Sequence, residues 1–116
     1  MDFRDLKVWQ ISMDLVEEIY RIAKTFPKSE TYGLADQMRR AAISIPSNIA
    51  EGNGRQHPKE YVNFLHIALG SLLELITQIE LSKRLGYINE DLYKNLYGQT
   101  MMINKLLRAQ IRALKR

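Results

Sequence analysis

The side chains that most often carry out catalysis are scarce in this chain of 116 residues. It has no cysteine, which excludes disulfides, zinc–thiolate sites and a thiol nucleophile. Its two histidines are His57 and His66, and a di-metal site in a helical bundle would need an acidic residue three positions before each of them. Gly54 and Asn63 occupy those positions. We therefore predict no catalytic residue, no metal and no cofactor, and a protein that is not an enzyme.

Basic residues are concentrated at the C-terminal end. Residues 1–98 hold 12 basic and 13 acidic residues, a net charge of −1, whereas residues 99–116 hold 5 basic and no acidic residues, a net charge of +5. Most of these cations recur at steps of three and four, which places them on one helical face. We predict that they bind the phosphate backbone of nucleic acid: Lys105, Arg108, Arg112, Lys115 and Arg116. The alternative is that they complement the helix dipole and keep the protein soluble. No aromatic residue follows Tyr97, so we expect this stripe to bind without base stacking.

A second polar pattern lies near the middle of the chain. Four side chains recur at steps of four, three and four, so they form one stripe on a helix. Glu74 lies in the least charged segment, close to the small residues Gly70 and Ser71, and a carboxylate in such a setting needs a partner. We predict a polar network at a helix or subunit seam, formed by Arg40, Ser44, Ser47, Glu51 and Glu74. The alternative is a solvated stripe.

The elements that position these residues are predicted to be helices. Apolar residues at helical spacing indicate a first helix over residues 5–26, which Pro27 ends. A second helix, capped by Ser29 or Thr31, is expected to end near residue 51, with Gly52 as a left-handed stop. Pro46 lies inside it and predicts a bend, with serine hydroxyls compensating part of the lost hydrogen bonding.

Two further helices follow. Pro58 suits the first turn of a third helix that runs to about residue 85, with Gly86 as its stop. Asn89 caps a fourth helix, and no segment alternates with the period of a strand. The fold class is therefore predicted to be all-α, an up-down-up-down antiparallel four-helix bundle over residues 1–116, with helix two bent at a proline.

The third helix has more apolar surface than one contact stripe requires. Either it is the central helix of the fold, or its second face packs against another subunit. We favour the second reading, a homo-oligomer face formed by Val62, Leu69, Leu73 and Ile76. The polar groups spread along residues 61–82 argue against a membrane span, and no secretory signal is visible. We expect a cytoplasmic protein.

Four segments, in this order, resemble a known family. They are residues 3–10 (FRDLKVWQ), 37–42 (QMRRAA), 44–52 (SIPSNIAEG) and 68–75 (ALGSLLEL). The chain resembles the bacterial four-helix bundle proteins encoded in intervening sequences of 23S ribosomal RNA genes, often labelled S23 ribosomal protein. The resemblance implies a ring-shaped homopentamer and a similarity to the accessory protein of diversity-generating retroelements, which engages reverse transcriptase and nucleic acid. It implies no catalytic residue and no structural role in the ribosome.

Two functions are consistent with these observations. The first is a non-enzymatic, oligomeric module that binds RNA or DNA backbone weakly and without sequence preference. The second is a protein–protein interaction scaffold with no nucleic-acid role. Neither a membrane nor a small-molecule substrate is expected as a partner.

Overall fold

Four long helices and two short 3-10 turns make up the protein. A computed structural model describes residues 2–116. The helices are α1 (Lys7–Ala23), α2 (Leu34–Asn53), α3 (Pro58–Arg84) and α4 (Glu90–Leu114), and the 3-10 turns are Phe3–Asp5 and Lys28–Glu30. No strand occurs among the described residues. The all-helical prediction is confirmed, with most helix ends within three residues of their predicted positions.

The helices pack as a ring, in which α1 contacts α2, α2 contacts α3, α3 contacts α4 and α4 contacts α1. Short connections make sequential helices antiparallel, and the bundle measures 44 × 24 × 20 Å. Every helix contributes side chains with no exposed surface to one core, among them Leu15, Ile19, Met38, Ile45, Ile49, Leu65, Leu72, Leu75, Leu96, Ile103 and Leu107.

The end of α3 and the start of α4 follow the local signals in the sequence. Gly86 has a φ of 78°, and its N–H donates to the carbonyl of Lys83 at 3.0 Å, while the N–H of Tyr87 donates to the carbonyl of Ser82 at 2.9 Å. This is a Schellman ending, for which glycine is favoured. The Asn89 side chain accepts a hydrogen bond from the backbone N–H of Leu92 at 2.9 Å. Both predicted signals are confirmed.

The start of α2 differs from the prediction. Neither Ser29 nor Thr31 caps this helix, whose first turn follows Gly33 without a side-chain cap at that position. Glu30 serves instead, because its Oε1 accepts the backbone N–H of Leu34 at 3.2 Å. The longer glutamate side chain can reach the helix from within the preceding 3-10 turn.

Pro46 lies buried inside a helix that continues on both sides of it. The predicted compensation by serine hydroxyls is wrong. The Ser44 hydroxyl pairs with that of Ser71 on α3 at 2.8 Å, and the exposed Ser47 makes no side-chain hydrogen bond with the described residues. The amide of Asn48 donates to the carbonyl of Ser44 at 2.7 Å. The Asn48 amide adds a local hydrogen bond after the proline, but it does not replace the donor that Pro46 removes from the Ala42 carbonyl.

Gly52 is not the helix stop that the sequence predicts. Only Gly86 has a positive φ among the described residues, and Gly52 is a buried residue within α2. A Cβ atom at this position would lie 2.8 Å from Cβ of Phe64 and 2.9 Å from Cδ1 of Tyr61. Glycine is required there because α2 and α3 approach each other closely.

By length and composition α3 could cross a membrane, the one such helix among residues 2–116. Of the 18-residue window that meets this condition, 44% is buried inside the bundle. The fold therefore accounts for much of the apolar character of α3 without a bilayer.

Candidate nucleic-acid interface

The five predicted basic residues all lie on the exposed surface of α4 or just beyond its end: Lys105, Arg108, Arg112, Lys115 and Arg116. None of them pairs with an acidic side chain of the described residues. Arg108 donates from Nε to Oδ1 of Asn104 at 3.0 Å, one helical turn earlier. No acidic residue follows Asp91 in the chain. These cations are therefore not neutralised within the protein.

The beginning of α3 lies beside the end of α4, because the two helices are antiparallel. A groove of about 230 Å³ runs between them, lined by His66, Leu69, Arg108, Ile111, Arg112 and Lys115. A second groove, of about 400 Å³, is lined by Pro58, Lys59, Val62, Asn63, Leu114 and Lys115. Lys115 lines both, so the two grooves adjoin. No acidic side chain lines either of them.

Each groove has apolar side chains in its floor and polar side chains at its rim. Leu69 and Ile111 are buried, whereas His66, Arg108 and Arg112 are exposed. We call this surface the basic seam; it consists of Lys59, Asn63, His66, Lys105, Arg108, Arg112, Lys115 and Arg116. The contribution of α3 was missed from the sequence. The signal was present, since antiparallel neighbours place the start of one helix beside the end of the next.

At the opposite end of α3 and α4, direct contacts between side chains join the two helices. The hydroxyl of Tyr93 on α4 donates a hydrogen bond to Glu80 on α3, and Nζ of Lys83 lies 4.1 Å from the centroid of the Tyr93 ring. Lys83 also pairs with Glu90 at 3.1 Å. The hydrogen bond to Glu80 raises the pKa of Tyr93, and burial adds to this effect. The hydroxyl therefore keeps its proton, and its hydrogen bond to Glu80, to a higher pH than an ordinary tyrosine would.

The predicted polar network does not form between the helices of one chain, and its formation at a subunit seam stays a prediction. Arg40 pairs from Nε with Oδ2 of Asp36 at 2.9 Å, one turn earlier on its own helix, and Glu51 pairs with Arg55 at 2.5 Å. Glu74 is exposed, and so it needs no protein partner. Acidic or basic residues one turn away compete successfully for these charges.

One member of that predicted set does cross to α3. It is Ser44, whose hydroxyl pairs with Ser71. Ser47 faces solvent. The polar contact of α2 with α3 is therefore a pair of neutral hydroxyls that packs in a half-buried position, and it offers no charged site.

The sequence matches that of the 23S rRNA-intervening sequence protein family over residues 4–109. The chain belongs to this family. Its fold is similar to a crystal structure of a protein of unknown function from the S23 ribosomal protein family of Bacteroides thetaiotaomicron, with a TM-score of 0.84 and 28% identity over 90% of this chain and 97% of that chain. No curated protein matches the sequence significantly. The resemblance drawn from the sequence is confirmed, and the function has to be argued from the surface.

This member of the 23S rRNA-intervening sequence protein family exposes a different face of α3 from the one predicted. Val62 and Leu69 lie in the chain's own core, at 9% and 7% exposure, and Ile76 packs half-buried against it. Only Leu73 of the predicted set is well exposed, at 49%. The predicted oligomer face is therefore corrected: Val62 and Leu69 pack beside α4 of the same chain, and Leu73 alone remains well exposed for contact with another subunit.

The surface that α3 does expose is also apolar. Its uncharged members are spaced by three or four residues: Ile67, Gly70, Leu73, Thr77 and Leu81. The exposed Glu74 lies among them, and Arg84 borders Thr77 and Leu81. We call this the outward face of α3. Ile67 is 51% exposed and Leu81 44% exposed, and a Cβ at Gly70 would meet no atom within 4 Å. An exposed apolar stripe of this length is typical of an interaction surface.

Among residues 2–116, no group of three or more histidine, aspartate or glutamate side chains is placed to hold a metal ion. His57 and His66 are both exposed. The two extended surface features of the described residues are the basic seam and the outward face of α3.

Proposed function

We propose that this protein is a non-enzymatic, cytoplasmic, homo-oligomeric module that binds the phosphate backbone of RNA or DNA through the basic seam. The observation that carries the proposal is that the five cations at the end of α4 are exposed and unpaired within residues 2–116. A merely solubilising surface would intersperse charges of both signs. Here Lys59 of α3 adds a further positive charge on the same side.

Clustering matters because isolated surface charges are screened within about 8 Å at physiological salt. Several cations along one groove can each displace a condensed counterion from nucleic acid, and this release drives binding without reading sequence. One copy would bind weakly. Repetition of the seam in an oligomer would raise the apparent affinity through multivalency.

The outward face of α3 supports the oligomeric part of the proposal. Burying Ile67, Leu73 and Leu81 against another copy would remove apolar surface from water, at roughly 25 cal/mol per Å². The family resemblance favours a homopentamer, and we propose that number on this ground alone.

The test of nucleic-acid binding is a titration of fluorescent single-stranded RNA at several salt concentrations. About four phosphate contacts per copy predict a slope of log K against log salt of roughly −2.8. The variant Lys105→Glu, Arg108→Glu, Arg112→Glu should lose this binding. Its matched control is Lys7→Glu, Lys24→Glu, Lys28→Glu, which reverses three exposed lysines far from α4 that pair with no acidic side chain of the described residues and leaves the same net charge.

Loss of binding by the seam variant with retention by the control would support the proposal. Equal binding by both variants would show that net charge alone is responsible. Absence of salt-dependent binding by the wild type at low salt would reject the nucleic-acid function.

The second candidate function is a protein–protein interaction scaffold without a nucleic-acid role. The outward face of α3 favours it, because that face is formed mainly by exposed apolar side chains such as Ile67, Leu73 and Leu81. The scaffold is distinguished by binding a partner protein through Ile67, Leu73 and Leu81 while the seam variant keeps full affinity for that partner.

A further inference from the structure

A half-exposed tyrosine lies in line with the basic seam. On α4, residues at steps of four, three, four, four and three share the side that adjoins α3: Tyr97, Met101, Asn104, Arg108, Arg112 and Lys115. Arg108, Arg112 and Lys115 line the groove between α4 and α3. Tyr93, one turn before Tyr97, donates a hydrogen bond to Glu80 of α3. These contacts show which side of α4 adjoins α3. Tyr97 is therefore on the same side of the bundle as the cations.

The ring of Tyr97 is both available and supported. It is 50% exposed, and its centroid lies 6.3 Å from that of Tyr93 with the planes inclined at 33°. Tyr93 is itself held by its hydroxyl on Glu80 and by Lys83 against its ring. A ring that rests on an anchored neighbour loses little side-chain freedom when it binds another planar group.

We infer that Tyr97 is a stacking platform for an unpaired base, and that the seam therefore prefers single-stranded nucleic acid to duplex. The inference rests on the proposed function and adds to it the class of nucleic acid. A base has an exposed π-face only when it is not stacked within a helix, whereas phosphates are present in both forms. Cations alone give no preference for the single strand; an aromatic beside them does.

The spacing is compatible with one strand reaching both parts. Tyr97 and Arg108 are 11 residues apart along α4, about 16 Å at ~1.5 Å per residue. At about 3.4 Å per stacked nucleotide this spans roughly five nucleotides. The stretch between the two residues contains no acidic residue that would repel the backbone. The prediction of phosphate contacts without stacking, made from the lack of aromatic residues after Tyr97, is thus replaced by one in which Tyr97 itself participates.

The test compares three short RNAs of the same length: a single strand, the same strand with abasic sites, and a blunt duplex. The protein variants are Tyr97→Ala, Tyr97→Phe and the control Tyr32→Ala, which removes a tyrosine that is 94% exposed in the turn before α2. Stacking on one ring predicts that Tyr97→Ala weakens single-strand binding by about 5- to 150-fold. Tyr97→Phe and Tyr32→Ala should bind like the wild type, and the abasic strand should bind the wild type as weakly as the intact strand binds Tyr97→Ala.

The failures of the two proposals are distinguishable. If the wild type binds strand and duplex with equal affinity and steep salt dependence, and Tyr97→Ala changes neither, the stacking inference is overturned and the basic seam remains. If Tyr97→Phe weakens binding as much as Tyr97→Ala, the ring is not a stacking platform. If no RNA binds at low salt, the proposed function fails, and the inference fails with it.

Discussion

The contact between α3 and α2 contains a buried glycine and a half-buried pair of hydroxyls, whereas the contact between α3 and α4 opens into grooves with polar rims. On the α2 side, Gly52 allows close contact with Tyr61 and Phe64, and Ser44 pairs with Ser71. On the α4 side, the grooves end in exposed cations such as Arg108 and Arg112. Both seams belong to the same helix, yet only one leaves surface for a ligand.

The difference shows how one bundle separates stability from binding. A close-packed seam tolerates little change in volume, so the contact between α2 and α3 fixes the fold. The open end of the α3–α4 seam contributes less to packing and can carry charges that repel one another. Substitutions in the two seams should therefore affect different measurements.

The largest loss of stability is expected from a charged side chain in the floor of the groove between α3 and α4. Leu69→Glu would remove a buried leucine side chain and desolvate a carboxylate in the groove floor, a cost that the exposed Arg108 and Arg112 at the rim offset only in part. It should destabilise the fold by about 3 kcal/mol. Leu73→Glu, four residues later on the outward face of α3, should keep the fold and shift the mass toward monomer. Urea denaturation and light scattering coupled to gel filtration measure the two outcomes. A stable, folded Leu69→Glu protein would contradict the assignment of Leu69 to the core.

A smaller loss of stability is expected from a methyl group added at the close contact between α2 and α3. In Gly52→Ala the added carbon would lie within 3 Å of side-chain atoms of Phe64 and Tyr61. Overpacking costs about 1–3 kcal/mol, and the better helix propensity of alanine returns about 1 kcal/mol, so a net loss is expected. Gly98→Ala is the matched control, since nothing lies within 4 Å of its Cβ, and it should stabilise by about 0.5–1 kcal/mol. Thermal melts that rank the two variants in the opposite order would refute the close contact.

The smallest change in stability is expected from the loss of the hydrogen bond between Tyr93 of α4 and Glu80 of α3, and it should depend on pH. The pKa of Tyr93 is raised in the folded state because its hydroxyl donates to Glu80. A group with a raised folded pKa contributes its stability in full below its unfolded pKa, near 10, and loses it as the pH rises through the folded pKa. Tyr93→Phe should therefore lower the urea midpoint at pH 8 and have less effect at pH 11. The neutral pair removed by Ser71→Ala should show no such change with pH; the same pH-independent loss in both variants would argue against the Tyr93 bond.

Short-range sequence signals were enough to predict the helices, but not which residues of other helices they contact. Pro58, Gly86 and Asn89 could be placed from the sequence because each acts through the nearest few backbone groups. Gly52 could not, because a glycine at a close helix contact and a glycine at a helix end look alike in sequence. Its role became apparent only from the positions of Tyr61 and Phe64 on another helix.

The same distinction applies to the charged residues: their exposure could be predicted from the sequence, but their pairing partners could not. The stripe from Lys105 to Arg116 follows from charge and period, and the structure exposes it. Arg40 and Glu74 were assigned to one network because period alone does not show that Asp36 is the nearer partner. A helix in a ring of four contacts two neighbours and therefore needs two apolar stripes. The stripe of α3 that contains Leu69 faces α4, and its assignment to a subunit interface was wrong.

The measurement that tests the central claim most directly is photo-crosslinking of the wild-type protein to single-stranded RNA that contains 4-thiouridine, followed by mass spectrometry of the crosslinked peptides. If the basic seam binds RNA, crosslinks should fall on residues 92–116 of α4 and 58–66 of α3, and they should disappear at high salt. Crosslinks confined to α1 and α2, or none above the background of the variant Lys105→Glu, Arg108→Glu, Arg112→Glu, would contradict the assignment of the nucleic-acid interface to this seam.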